Sequence, residues 1–190
     1  MHVALHTAAL AKEPANAAAG TAGNWALSPD GSEVIDVRAG QAWPRCVEGM
    51  QWTGKTCQGE PTLLTHKEAL SLVSARRKAD GRDWRLPRVT DLRRLVSETR
   101  ASRGQYARLF PAAPADWYWA STANVDTASK EVNPYNYGNV MNARNGTGGA
   151  NRMAFLHGWA VNMDTGEADG EVSRRSKLPV RLVRMESARR

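Results

Sequence analysis

The chain has 190 residues, 42% of them hydrophobic, with 26 Lys and Arg against 19 Asp and Glu for a net charge of +7. That is enough sequence for one domain, or one domain plus a tail, with a real core. No apolar run approaches the ~18 residues that a membrane-spanning helix needs. Seven Trp stand against two Phe; Trp joins a large apolar face to an N–H donor, and most of these are expected in the core.

Residues 1–28 are Ala-rich, without helical periodicity, and are expected to form a disordered or loosely packed tail ahead of a single domain over 29–186. Ala9-Leu10-Ala11 resembles a small-x-small cleavage site, but no basic stretch and full apolar run precede it. A missing or replaced export leader and an ordinary low-complexity tail both fit. From Pro29 to Trp43 the pattern is that of strands: Asp30-Gly31 turns, Val34, Ile35 and Val37 are β-branched, and Ala39-Gly40 turns again.

Cys46 and Cys57 are the two cysteines, with Gly49, Trp52 and Gly54 between them. A disulfide here would close a tight loop, contribute roughly 3 kcal/mol, and imply an oxidising compartment, hence a periplasmic, extracellular or cell-surface location. The alternative is a pair of reduced thiols in a cytosolic protein, and the disulfide is the state expected here. Two thiolates without further Cys or nearby His cannot complete a tetrahedral metal shell, so no metal is assigned.

Thr65-His66-Lys67-Glu68 has the form of a capping box, and the helix it opens is expected to end near Asp80-Gly81, where Gly suits a left-handed cap. His66 is placed on the surface. Asp83 to Val96, DWRLPRVTDLRRLV, organises the rest. Pro87 keeps Trp84 to Leu86 extended and delays the next helix until after itself. Leu92, Leu95 and Val96 make one apolar stripe, Arg93 and Arg94 lie off it, and Trp84 and Leu86 are expected to join the same core. Ala101 to Asp116 is a basic, Pro-containing connection pinned by Leu109 and Phe110. Trp117 to Thr122 is an aromatic strand.

Asn124 to Arg152 is almost free of aliphatic residues. A stretch so long without regular structure is usually functional or disordered. Amides offer two donors and an acceptor, and Tyr offers rigid contact area, which suits hydroxyl-rich or peptide ligands. The candidate ligand-binding residues are Asn133, Tyr135, Asn136, Tyr137, Asn139, Asn142, Arg144, Asn145, Asn151 and Arg152. A loop that uses Asn only for its turns is the competing explanation. Beyond it Met153 to Met163 alternates as a strand with Trp159 and Val161 on one face. Asp164-Thr165-Gly166 turns into a partner strand ending at Val172, and Val180 to Arg184 is expected to close the sheet. Asp164, Glu167, Asp169 and Glu171 are oxygen ligands in principle, but a hairpin tip explains them better than calcium.

The cations Arg76, Arg77, Lys78, Arg93, Arg94, Arg174, Arg175, Lys177, Arg189 and Arg190 make either a solvated basic face or one that attracts a polyanion. No nucleic-acid motif accompanies them. Histidine-pair metal motifs, phosphate-cradling glycine loops and nucleophile elbows are also missing, so neither an enzyme nor a cofactor is expected.

WRLP with its Leu-Arg-Arg-Leu helix, followed by YWAST, DVRAGQAWPRC (Asp36 to Cys46), EGMQWTGKTCQG (Glu48 to Gly59), HGWAVNMDTGEADGEV (His157 to Val172) and KLPVRLVR (Lys177 to Arg184) together resemble the bacterial Lcl C-terminal domain family. The resemblance spans about residues 30–185. It implies an α+β, C-type-lectin-like fold, with two helices packed on a small twisted antiparallel sheet and long loops. It also implies a non-enzymatic, lectin-like or adhesin-like module for a glycan, polyanion or protein ligand. A structural subunit of a bacterial surface appendage is the alternative, as is a retroelement-diversified variable binding protein, given the recurring Asn. Formylglycine-generating enzymes share that fold and a similar VRLVR ending, but they rest on late cysteines and none follows Cys57 here. The calcium-binding motifs of C-type lectins do not carry over either.

Overall fold

Alternation and turns in the first part of the chain translate directly into an antiparallel meander. This computed structural model describes residues 24–100, 104–121 and 156–186. β1 (Trp25–Leu27), β2 (Glu33–Asp36) and β3 (Gln41–Pro44) pair in sequence, with Val34 opposite both Leu27 and Trp43. β1 lies inside the range assigned to the tail, and Trp25 is buried. The chain's last strand, β9 (Arg184–Met185), joins β3, giving the order β1-β2-β3-β9. β4 (Gln51–Trp52) and β5 (Cys57–Gln58) form a hairpin of their own.

Helix α1 (His66–Asp80) begins with both halves of the expected capping box in place and ends on Gly81 at φ 69°. Helix α2 (Val89–Arg100) starts after Pro87. Its Asp91 accepts from the Arg88 N–H (2.9 Å), from Arg85 Nη1 (2.8 Å) and from Gln41 Nε2 (3.1 Å). Burial works to raise this carboxyl, but the backbone N–H, Arg85 and Gln41 outweigh it, and the group ends below the usual carboxylate range. A short third helix, α3 (Gln105–Leu109), interrupts the expected connection, and Leu109 and Phe110 are buried.

β6 (Trp117–Ala120), β7 (His157–Asn162) and β8 (Ala168–Ser173) make the third sheet. Successive side chains of β6 leave on opposite faces, and both faces are covered. Tyr118, Ala120 and Val161 join Leu92, Leu95, Val96, Val34 and Trp43 in one core. Trp117, Trp119 and Ala160 join Ala69, Val73, Trp84 and Leu86 in another. Trp159 packs with Val161, as the alternation requires.

Three expectations are corrected. The described residues form three antiparallel sheets and include a third helix, in place of the expected two helices on one small sheet. Trp84 and Leu86 do not share a core with the α2 stripe, because Arg85 pairs with Val183 and Arg88 with Ser121, so Pro87 carries the chain across the end of the third sheet. Val180 to Val183 is not a sheet strand. Leu178 and Val183 satisfy their backbone through isolated bridges to Leu64 and Arg85, and only Arg184–Met185 pairs with β3.

Arg181, fully buried in this segment, donates to the carbonyls of Pro44 and Arg45 and lies 4.4 Å over the Phe110 ring. Burial pushes the neighbouring Tyr106 and Tyr118 hydroxyls upward, so both stay neutral beside that cation.

Candidate functional site

The spacing of the cysteines is realised as a bond. Cys46 and Cys57 are joined across 11 positions with their Cα atoms 5.5 Å apart. The loop they close is fastened from outside as well. Glu48 N–H donates to Val180 (3.0 Å), and Thr62 N–H to the Glu48 carbonyl (2.8 Å). Gly49 sits between these anchors at φ 93°, and a Cβ there would fall 2.5 Å from Thr62 N. Gly49→Ala is therefore expected to lower stability by about 1–3 kcal/mol, read as a shift in denaturation midpoint.

This loop forms one wall of a cleft of about 490 Å³, whose other walls are the Ser28–Ser32 turn, β2, β9 and the end of α1. That volume falls within the usual range of small-molecule sites. Ile35, Pro44, Met50 and Trp52 contribute half-buried apolar surface to it. Trp52 is fixed by Arg45, whose guanidinium lies 4.2 Å over the indole and donates to the carbonyls of Leu109 (2.8 Å), Arg108 (2.5 Å) and Gly31 (3.2 Å).

The polar part is a set of pre-formed pairs. Arg184 reaches Glu33 through Nη2 (2.5 Å) and Nε (3.2 Å), and Glu186 through Nη1 (2.8 Å). Arg76 holds both oxygens of Glu48, at 3.0 and 2.9 Å, while Arg82 stands 3.8 Å from Glu33. Arg76 and Arg184 both lie against the buried Trp84 ring, at 5.9 and 5.7 Å, and Trp84 Nε1 donates to Asp80 (2.7 Å).

Asp30 accepts from the hydroxyls of Ser28 (2.6 Å) and Ser32 (2.7 Å) and from Ser32 N–H (3.1 Å). Led by the Ser28 bond, these donors bring its pKa down to about 2. Asp80 is lowered too, first by the Trp84 indole N–H. Arg184→Lys keeps the charge but loses the planar fork that spans Glu33 and Glu186. We expect it to cost about 2 kcal/mol, measurable by denaturant titration.

Of the eight described cations predicted to make a basic face, four are engaged locally. Arg76 pairs with Glu48, Arg77 with Asp83 and Arg94 with Asp36, and Arg174 donates to the His157 carbonyl (2.8 Å). Lys78, Arg93, Arg175 and Lys177 are exposed, and Arg189 and Arg190 lie outside the described residues.

A second depression, separate from the cleft lining, is formed by His66, Lys67, Leu70, Ser71, Ser74 and Arg174. His66 is not a plain surface residue: its ring meets Trp119 edge-on at 5.2 Å. Burial, and then Arg174, lower its pKa from 6.5. The unfolded chain then binds this proton more readily than the fold, so the His66 contribution to stability is present above pH 6.5 and is lost as pH falls below it. Unfolding curves of His66→Gln should show a shallower loss over that window than the parent.

The Asn-rich candidates, Asn133, Tyr135, Asn136, Tyr137, Asn139, Asn142, Arg144, Asn145, Asn151 and Arg152, all lie outside the described residues. The cleft was not foreseen. Its lining runs from Ser28 to Glu186, and no local motif joins such distant positions. One signal was present: Cys46, Glu48, Met50, Trp52, Trp84 and Arg184 all belong to the stretches that carry the family resemblance.

No curated protein and no solved structure matches the chain. The family model of the Lcl C-terminal domain matches residues 32–184, and the chain belongs to that family.

Proposed function

We infer that this is a non-enzymatic binding module that works outside the cytoplasm on a C-type-lectin-like scaffold, and that it takes a glycan in the cleft beside the disulfide loop. Among the described residues, the joining of β1, β2 and β3 with β9 in one antiparallel sheet supports the scaffold. The disulfide supports an oxidising compartment, and among the described residues no helix is long and apolar enough to cross a membrane. The cleft contains no histidine, its cysteine is disulfide-bonded, and its glutamates are held by arginines, which supports binding rather than turnover.

The observation that carries the reading is the combination of a half-exposed Trp52 with carboxylates and guanidiniums fixed before any ligand arrives. Apolar ring faces suit the C–H face of a sugar, and pre-oriented charged groups meet hydroxyls without an ordering cost. Calorimetric titration with a panel of oligosaccharides should give binding that Trp52→Ala weakens at least about tenfold while the fold persists by circular dichroism. A panel with no binder, or a binder indifferent to Trp52, counts against the cleft.

A further inference from the structure

The whole chain is basic, yet the cleft is not. Asp30, Glu33, Glu48, Asp80 and Glu186 line it against Arg76, Arg82 and Arg184. Two of the three guanidiniums are hydrogen-bonded, Arg76 to Glu48 and Arg184 to Glu33 and Glu186, while the exposed Arg82 stands 3.8 Å from Glu33. Neither Asp30 nor Asp80 has a guanidinium within ion-pair distance among the described residues, although the charges of Arg82 and Arg76 act on Asp80 from farther off. Their own hydrogen bonds come from hydroxyls, backbone N–H groups and an indole N–H, and those donors hold both carboxyls ionised without neutralising them.

Resting on the glycan reading above, we propose that the cleft is selective for an amino sugar, a saccharide whose protonated amine offsets the excess of carboxylates there and supplies the cation that Asp30 lacks and that Asp80 has only at a distance. An anionic sugar would meet a cleft lined by five carboxylates against three guanidiniums, two of which, Arg76 and Arg184, already hold glutamates. A neutral sugar would leave the two charges as they are. An ammonium makes a charge-assisted hydrogen bond with a carboxylate, about twice as strong as a neutral one. A saccharide also fits better than an extended peptide. The hydrogen-bonding groups here are side chains pointing into a half-apolar cleft, whereas a peptide is best captured along a strand edge.

The test uses the intact, oxidised chain and three oligosaccharides of equal length: a glucosamine oligomer, its N-acetylated counterpart and a glucose oligomer. By calorimetry at slightly acidic pH, the glucosamine oligomer should bind at least about tenfold more tightly than the other two, and its advantage should vanish as the pH rises through the amine's own titration.

Asp80→Asn keeps an acceptor for the Trp84 indole, and Asp30→Asn keeps one for Ser28 and Ser32. Each variant should therefore remain folded while losing about tenfold for the amino oligomer and clearly less for the acetylated one. Equal affinity for the acetylated oligomer, still abolished by Trp52→Ala, would overturn the amine preference and leave the glycan reading standing. If none of the three oligomers binds, both fall. A polysulfated glycan competing with the amino oligomer in the cleft also overturns the proposal.

Discussion

Replacing Cys46 and Cys57 together by serine is expected to lower stability by about 3 kcal/mol, because a cross-link over 11 positions removes that much loop-closure entropy from the unfolded chain. In a domain of this size the melting temperature should drop by about 6–12 °C. The native ladder softens the loss only in part. Gln51 and Trp52 still pair with Gln58 and Cys57, so the hairpin can persist, but nothing then ties Cys46 to it. Since Cys46, Glu48, Met50 and Trp52 line the cleft, binding should weaken along with stability. Unfolding monitored with and without reductant separates the two states. A reduced protein as stable as the oxidised one would contradict the assignment of the bridge as a stabilising element.

Trp119→Ala is expected to cost about 3–5 kcal/mol, the range for deleting a large aromatic from a core. Trp119 is fully buried, and its indole N–H donates to the Leu64 carbonyl at 2.7 Å. A Cβ on Gly158 would come within 3.1 Å of its ring, so the chain has set a glycine where the indole passes. The substitution should also raise the His66 pKa toward its ordinary value, because the ring that buries that imidazole is gone. Nuclear magnetic resonance titration of His66 reads this directly. Trp119→Phe keeps much of the volume but removes one of the two donors to the Leu64 carbonyl, which retains the Leu178 N–H at 3.0 Å, and should cost about 0.5–1.5 kcal/mol. A loss below about 1 kcal/mol for the alanine variant would show that the second core is not cooperative with the rest.

What the sequence made legible was whatever a short window can hold. The Thr65–Glu68 box, the Gly81 cap, the Pro87 boundary, the Asp164–Gly166 turn and the disulfide each depend on a few neighbouring residues, and each is found where the pattern places it. Long-range decisions were not legible. Trp84 and Leu86 look like partners of the α2 stripe on periodicity alone. The bridge between Arg85 and Val183, made with a segment nearly a hundred residues away, sends them to the other core. Val180 to Arg184 has the composition of a strand, yet only its end finds a sheet partner. The basic surface was overcounted for the same reason: a charge tally cannot see that Arg94 faces Asp36, or that Arg45 and Arg181 spend their donors on backbone carbonyls.

Arg184 and Glu33 are 151 positions apart, whereas the two cysteines are separated by 11. Contacts so different in reach form at different times, since distant pairings must wait for the chain between them to be ordered. A polypeptide delivered N-terminus first can oxidise its Cys46–Cys57 ring and wind α1 while Arg184 is still to come. During that interval Glu33 and Trp84 are without the guanidinium that later serves both. On the proposed reading of the cleft, its polar wall is thus completed last. Replacing Arg184 by alanine should accordingly open that wall while sparing the oxidised ring, because a pairing 151 positions long completes what a ring 11 positions long began.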